Sequence, residues 1–207
     1  MKSLLLPTLL LAGASLPLMG QIELTTNGDF ETGDTSGWAE FPTANSTFGV
    51  TGDAANGSFA GELFNDDLAS AAIIKQANLG IGTVSPGQEI TISFSAKGAG
   101  AVGGVSFAEF FSEISGGGVS KSEILGGTPL SLSPTLYDTY SFTTTAGPDV
   151  SGGVTLQLTA TTGGDAGSQM QLSVDDVSVS VVPEPGTYAL ILGAASLGFL
   201  LLRRRRR

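Results

Sequence analysis

The chain has 207 residues, enough for one domain once terminal targeting segments are set aside. It contains no cysteine and no histidine, which excludes Cys/His zinc sites, cysteine nucleophiles and histidine-dependent triads. Residues 21–182 hold three lysines (Lys75, Lys97, Lys121) against 18 acids, hence −15, a charge that repels nucleic acid and anionic membranes and favours divalent cations.

Met1-Lys2 opens a short positive region, and residues 4–19 form an apolar stretch. Gly20 places a small residue before the polar Gln21. Residues 1–20 therefore read as a secretory signal peptide cut near Gly20–Gln21, although Leu18, three positions before the cut, is larger than usual. A buried helix in this place would be broken by Pro7 and Pro17.

Residues 21–182 alternate short β-rich segments with Gly, Asn, Asp and Ser turns. The expected strands are 22–25, 47–51, 59–64, 71–78, 88–96, 104–112, 119–125, 136–144, 153–162 and 169–182. Period-two alternation runs through Ile90-Ile92-Phe94-Ala96 and Val154-Leu156-Leu158-Ala160, which implies strands with one buried face. In the last segment Leu172-Val174 alternates, then the phase shifts to Val177-Val179-Val181. One extra residue flips the buried face, so the shift predicts a bulge at Asp175-Asp176. Many short strands at regular spacing imply an all-β sandwich. The Gly-rich stretches 98–104, 116–118 and 163–164 are expected to be hairpin loops rather than phosphate cradles, because no helix follows any of them.

Two motifs sharpen the fold. Asn27-Gly28-Asp29-Phe30-Glu31 with Ser36-Gly37-Trp38 resembles the opening of jelly-roll domains of the galactose-binding-like, carbohydrate-binding-module type. Val174-Asp175-Asp176-Val177-Ser178-Val179 resembles their last strand, and Asn56-Gly57-Ser58-Phe59 and residues 89–98 also fit. The resemblance implies a jelly-roll β-sandwich and polysaccharide as a ligand. It also implies a structural Ca2+ held by Glu31, a backbone carbonyl at Gly57 and Asp175. Calcium takes six to eight oxygens, so further carbonyls would complete that shell. Without an ion, Asp175 is a bulge residue bonded to backbone and Glu31 a solvated turn acid.

Trp38, the single tryptophan, is either a sugar-stacking platform or a packing residue, and its place in the shared Ser-Gly-Trp signature favours packing. Phe107, Phe110 and Phe111 share one strand and must point to both faces, which leaves some exposed. Tyr137 and Tyr140 are similar candidates, but the sequence alone does not place a ligand-binding face. Glu109 and Glu113 are evenly spaced on one strand and admit a glycosidase pair, though two solvated acids explain them equally well. No nucleophile with an orienting partner is visible, so the expected protein is not an enzyme. A purely structural, O-glycosylated coat protein is the alternative to a polysaccharide binder. The sequons at Asn45 and Asn56 are incidental in a bacterium.

After Val182 come Pro183-Glu184-Pro185, an uncharged and mostly apolar run at 187–202, and Arg203, Arg204, Arg205, Arg206 and Arg207. Sixteen helical residues span about 24 Å, and arginine snorkelling brings this near a roughly 30 Å bilayer core. The arginines act as a membrane stop and hold the C-terminus in the cytoplasm. The prolines keep the segment before the helix extended and accessible. Residues 183–207 resemble the PEP-CTERM sorting signal of Gram-negative, exopolysaccharide-producing bacteria. In that family an exosortase, a multi-pass membrane cysteine transpeptidase, reads the Pro-Glu-Pro motif. The resemblance implies an exosortase substrate that crosses the inner membrane, is held there transiently, and ends at the cell surface or in the extracellular matrix beside exopolysaccharide.

Overall fold

The computed structural model describes residues 20–182; the expected signal peptide, transmembrane helix and sorting signal lie outside them. Eleven strands form two antiparallel sheets packed face to face. One sheet contains β1 (Ile22–Glu23), β3 (Ser46–Thr51), β4 (Ala60–Asn65), β6 (Glu89–Ala101), β9 (Asp138–Thr145) and β11 (Gln169–Val181). Its order is β3-β4-β11-β6-β9, with β1 added beside the C-terminal half of β11. The other contains β2 (Ala39–Phe41), β5 (Ala71–Leu79), β7 (Val105–Glu113), β8 (Val119–Ile124) and β10 (Val154–Thr161), in the order β2-β5-β10-β7-β8.

The alternating aliphatics make the core. Ile90, Ile92 and Phe94 from β6 meet Leu156 and Leu158 from β10 and Leu172 and Val174 from β11, all essentially without exposure. Each such side chain contributes about 1.5–3 kcal/mol of burial. Phe110 points inward and is fully buried, whereas Phe107 and Phe111 stand on the opposite face, half-buried. The two open flanks between the sheets are filled by aromatics. Phe30 stacks on Trp38 at 5.4 Å with Phe48 edge-on, and Phe94 stacks on Tyr140 at 5.3 Å. Trp38 thus packs, and its indole N–H donates to the Asn27 carbonyl at 3.2 Å.

The bulge lies where the phase shift places it. Asp175 pairs with Ser95 and Ser178 with Ser93, so three steps on β11 match two on β6, and Asp176 takes a positive φ of 50°. Two expectations need correction. Residues 98–101 are strand, not loop: the turn is only Val102-Gly103, with φ of 47° and 84°, the geometry of a two-residue hairpin. Gly98 and Gly100 belong to β6 because a Cβ there would strike the Gln171 and Gly104 carbonyls. The second is β2, an additional edge strand at residues 39–41.

A second edge is tied down by charge. Lys121 and Glu123 on β8, the outer strand of one sheet, reach the outer strand β9 of the other: Lys121 Nζ donates to the Thr145 carbonyl at 2.8 Å, and Thr144 donates to Glu123 Oε2 at 2.6 Å. At the opposite flank Glu23 fastens β1. Its carboxylate accepts the backbone N–H of Thr25 at 2.9 Å and of Val179 at 3.1 Å, together with the Ser178 hydroxyl. Burial pushes the Glu23 carboxyl up, but the bonds from Ser178, Thr25 and Val179 outweigh it and leave the pKa below the usual value. A depressed acid stabilises the fold above its ordinary pKa of 4.5, and that contribution is lost as pH falls through the native value. Glu23→Gln should therefore lower the urea midpoint at pH 7, and the gap to wild type should narrow below about pH 4. Parallel urea titrations at pH 7 and pH 3 check this; a gap that widens in acid would refute it.

Candidate functional site

The structure brings Glu31, Gly57 and Asp175 together around a single loop, residues 53–59. Asp175 is fully buried at the bulge, where Oδ2 accepts the N–H of Ala55 at 2.9 Å and of Asn56 at 3.0 Å, and Oδ1 accepts that of Asp176 at 2.7 Å. Glu31 grips the other half of the loop, Oε1 accepting the N–H of Ser58 at 2.7 Å and of Phe59 at 2.9 Å. Gly57 sits between them, where a Cβ would run into the Glu31 carboxylate. Burial raises the Asp175 pKa.

In this arrangement the two carboxylates of the expected calcium set are engaged by backbone N–H groups. The loop turns four amide hydrogens, not carbonyl oxygens, toward the two carboxylates. Among the described residues, no three acidic side chains cluster closely enough to hold a metal. Glu31, Gly57 and Asp175 form a loop clamp in which N–H dipoles stand where a cation would otherwise balance the charge. Beside it an open depression of about 340 Å³, edged by Glu23, Asp29 and Asp176, follows the bulge.

A second group of residues lies on the outer face of the five-stranded sheet. Antiparallel pairing aligns Lys75 of β5, Gln157 of β10 and Glu109 of β7 in one row, with strands about 4.8 Å apart. Gln157 Nε2 donates to Glu109 Oε2 at 2.7 Å, fixing the amide, and Lys75 Nζ lies 4.6 Å from the centre of the Phe41 ring. The adjacent row is Phe41, Ile73, Thr159 and Phe107; on the other side stand Thr155 and Phe111. Thr155 and Thr159 point outward yet are only 1% and 4% exposed, because the flanking side chains rise above them. The face thus carries a cationic-amide-carboxylate strip with phenyl rings on either side of it, over two covered threonines.

Other candidates resolve differently. Glu113 accepts the Thr155 hydroxyl at 2.8 Å. It lies four residues from Glu109 on the same strand, a separation of roughly 13 Å. Glycosidase carboxylates stand about 5–9.5 Å apart, so the two do not form such a pair. Tyr137 donates to the Asp53 carbonyl at 2.6 Å and Lys97, ion-paired with Asp53, lies over its ring. Burial, with the charges of Asp53, Asp175 and Glu62 behind it, pushes its phenol up to about 12. Tyr140 donates to the Ser131 carbonyl at 2.6 Å. Both tyrosines are thus structural ties. The Lys75-Gln157-Glu109 strip escaped sequence reasoning because its members come from three distant strands; the outward phase of each alternation was the available signal.

Comparisons with known proteins bear on both ends of this description. Residues 181–207 match the PEP-CTERM protein-sorting motif. The motif marks the chain for export and for processing by an exosortase at the cell envelope. No curated protein matches the chain. Among solved structures, the CBM22-1 xylan-binding domain from Paenibacillus barcinonensis Xyn10C is similar at 14% identity and a TM-score of 0.55, with 76% of this chain and 93% of that one covered. The Stig cyclase Fisc from Fischerella sp. TAU is similar at 16% identity and a TM-score of 0.57, covering 79% and 99%. The enzymatically active domain of bacteriophage CBA120 tailspike protein 4 reaches a TM-score of 0.60 at 16% identity, over 78% of this chain, which spans only 22% of that one. At these identities the likeness is one of fold: a two-sheet antiparallel sandwich shared by carbohydrate-binding modules and by an enzyme alike.

Proposed function

We propose that this is a non-catalytic surface or matrix protein whose outer five-stranded face binds polysaccharide, delivered there by its sorting tail. The observation that carries the binding half is the aligned strip of Lys75, Gln157 and Glu109 between Phe41, Phe107 and Phe111. A sugar chain offers alternating hydroxyl edges and C–H faces, and such a face supplies hydrogen-bonding groups for the first and rings for the second. The acidic domain repels anionic polymers, so the ligand class is a neutral polysaccharide. The similarity to a xylan-binding domain supports this reading. Against catalysis stand the wide separation of Glu109 and Glu113 and the absence of histidine and cysteine.

The test is affinity electrophoresis of the mature domain through gels carrying neutral β-linked polysaccharides. Wild type should be retarded by at least one of them. Phe107→Ala, Phe111→Ala and Gln157→Ala should each weaken binding about tenfold, the loss of one stacking or bidentate contact. Each variant should stay folded at the assay temperature, which its melting curve checks, because these half-buried side chains lie on the outer face of the sheet and not in the core. Free migration of wild type in every gel would overturn the binding half and leave a structural coat protein.

A further inference from the structure

The sorting motif has no spacer. Val181 is 1% exposed, paired on one side with Ile90 of β6 and on the other with Ile22 of β1, and Pro183 is two residues further on. The last carbonyl before the motif is held by a side chain: Gln88 Nε2 donates to the Val182 carbonyl at 2.9 Å while its Oε1 accepts the Ser85 N–H at 2.8 Å. Gln88 is itself fixed by backbone, its N–H donating to Ser85 and its carbonyl accepting from Ala146. Glu184 can lie at most about 7 Å from Val182, and the apolar run beginning at Thr187 at most about 18 Å. Any active site that reads this motif at the membrane therefore works against the end of the sandwich.

That end differs from the rest of the domain. The loop of residues 80–88 has no charged side chain, although the domain carries −15 overall from three lysines and 18 acids. Three aliphatic side chains are exposed there: Ile22 at 40%, Ile81 at 58% and Val182 at 42%. This uncharged, partly aliphatic loop, bordered by Glu89 and Asp149, suits an apolar, membrane-embedded partner, whereas the acidic remainder is repelled by anionic lipid headgroups.

We propose that this end of the sandwich is a docking face for the membrane-embedded transpeptidase that reads Pro-Glu-Pro, with Gln88 as the positioning residue that aims the segment into it. The proposal rests on the sorting reading. A segment leaving the fold in a fixed direction loses less freedom on entering an active site than one on a free linker. The benefit vanishes if the direction is lost.

The test uses the full chain in an exosortase-bearing host, with the processed fraction followed over time by intact mass. Four variants are compared with wild type: Glu184→Ala, Gln88→Glu, Ile81→Asp, and an eight-residue Gly/Ser spacer inserted after Val182. Gln88→Glu keeps the acceptor for Ser85 and turns a carboxylate on the Val182 carbonyl; the spacer leaves every folded contact in place. The spacer should slow processing about tenfold, and Gln88→Glu and Ile81→Asp severalfold, with the melting temperature of the spacer form unchanged. Spacer and Gln88→Glu chains processed at the wild-type rate would overturn the docking proposal while leaving sorting intact. An unprocessed wild type, or a Glu184→Ala chain processed equally well, would overturn sorting and the docking face together.

Discussion

Asp175→Ala should lower the free energy of unfolding by about 3 kcal/mol, read as a roughly 6–12 °C fall in melting temperature. The side chain is fully buried and takes three backbone N–H groups, two of them from a loop 120 residues away in the chain. Truncation leaves those donors without a partner and opens space at the bulge. Asp175→Asn separates charge from geometry: its oxygen can still accept from Ala55 and Asn56, while its amide meets the Asp176 N–H, so about 1 kcal/mol should be lost. The pH dependence follows from burial, which raises the Asp175 pKa. The native state then holds this proton more tightly than the unfolded chain, so stability declines as pH rises from the ordinary value of 3.8 through the raised one. The difference between wild-type and Asp175→Asn urea midpoints should carry that slope between pH 3 and 6. Because N–H groups occupy the clamp, chelator should leave the wild-type midpoint where it was. A urea midpoint raised by calcium in wild type and insensitive to it in Glu31→Gln would return the ion to Glu31, Gly57 and Asp175.

Gly28→Ala should cost about 3–4 kcal/mol and sharply reduce soluble yield. Gly28 lies against the bulge, its carbonyl accepting the Val177 N–H at 2.9 Å. An added Cβ would enter the Val177 carbonyl oxygen, which also accepts the Thr25 hydroxyl at 3.0 Å. Both are backbone or backbone-bonded, so no flexible side chain can yield. Gly49→Ala is the matched control, since nothing lies within 4 Å of its would-be Cβ. It should stay within about 0.5 kcal/mol of wild type. Guanidinium titration of the three proteins decides; equal midpoints for the Gly28 and Gly49 variants would refute the close-approach account.

Much of the sandwich was legible because burial imposes period two. Ile90-Ile92-Phe94 and Leu156-Leu158 announced their faces, and the slip after Val174 located the bulge to within a residue or two. β2 left no such trace: Ala39-Glu40-Phe41 is short, exposed throughout and held only by β5. Residues 98–100 were misread because glycine serves close strand approach as well as turns, and composition cannot tell the two apart. The clamp was half legible. Family resemblance named Glu31, Gly57 and Asp175, but whether a loop turns its N–H or its C=O inward depends on backbone torsions that no side chain encodes. The polar strip was hidden for another reason, since Lys75, Glu109 and Gln157 become neighbours only through register.

The bridge from β8 to β9 bears on how such molecules live together. A protein displayed in many copies meets itself at high local concentration, and bare sheet margins then invite neighbouring molecules to zip into continuous ribbons. Lys121 occupies the Thr145 carbonyl at one such margin and sets a charge at another, and β2 offers only three residues to a newcomer. Three of these margins, β9, β8 and β2, are thus blunted by means that need no partner. The consequence is colloidal: at high local concentration this protein can stay a population of separate, exchangeable units instead of setting into fibre.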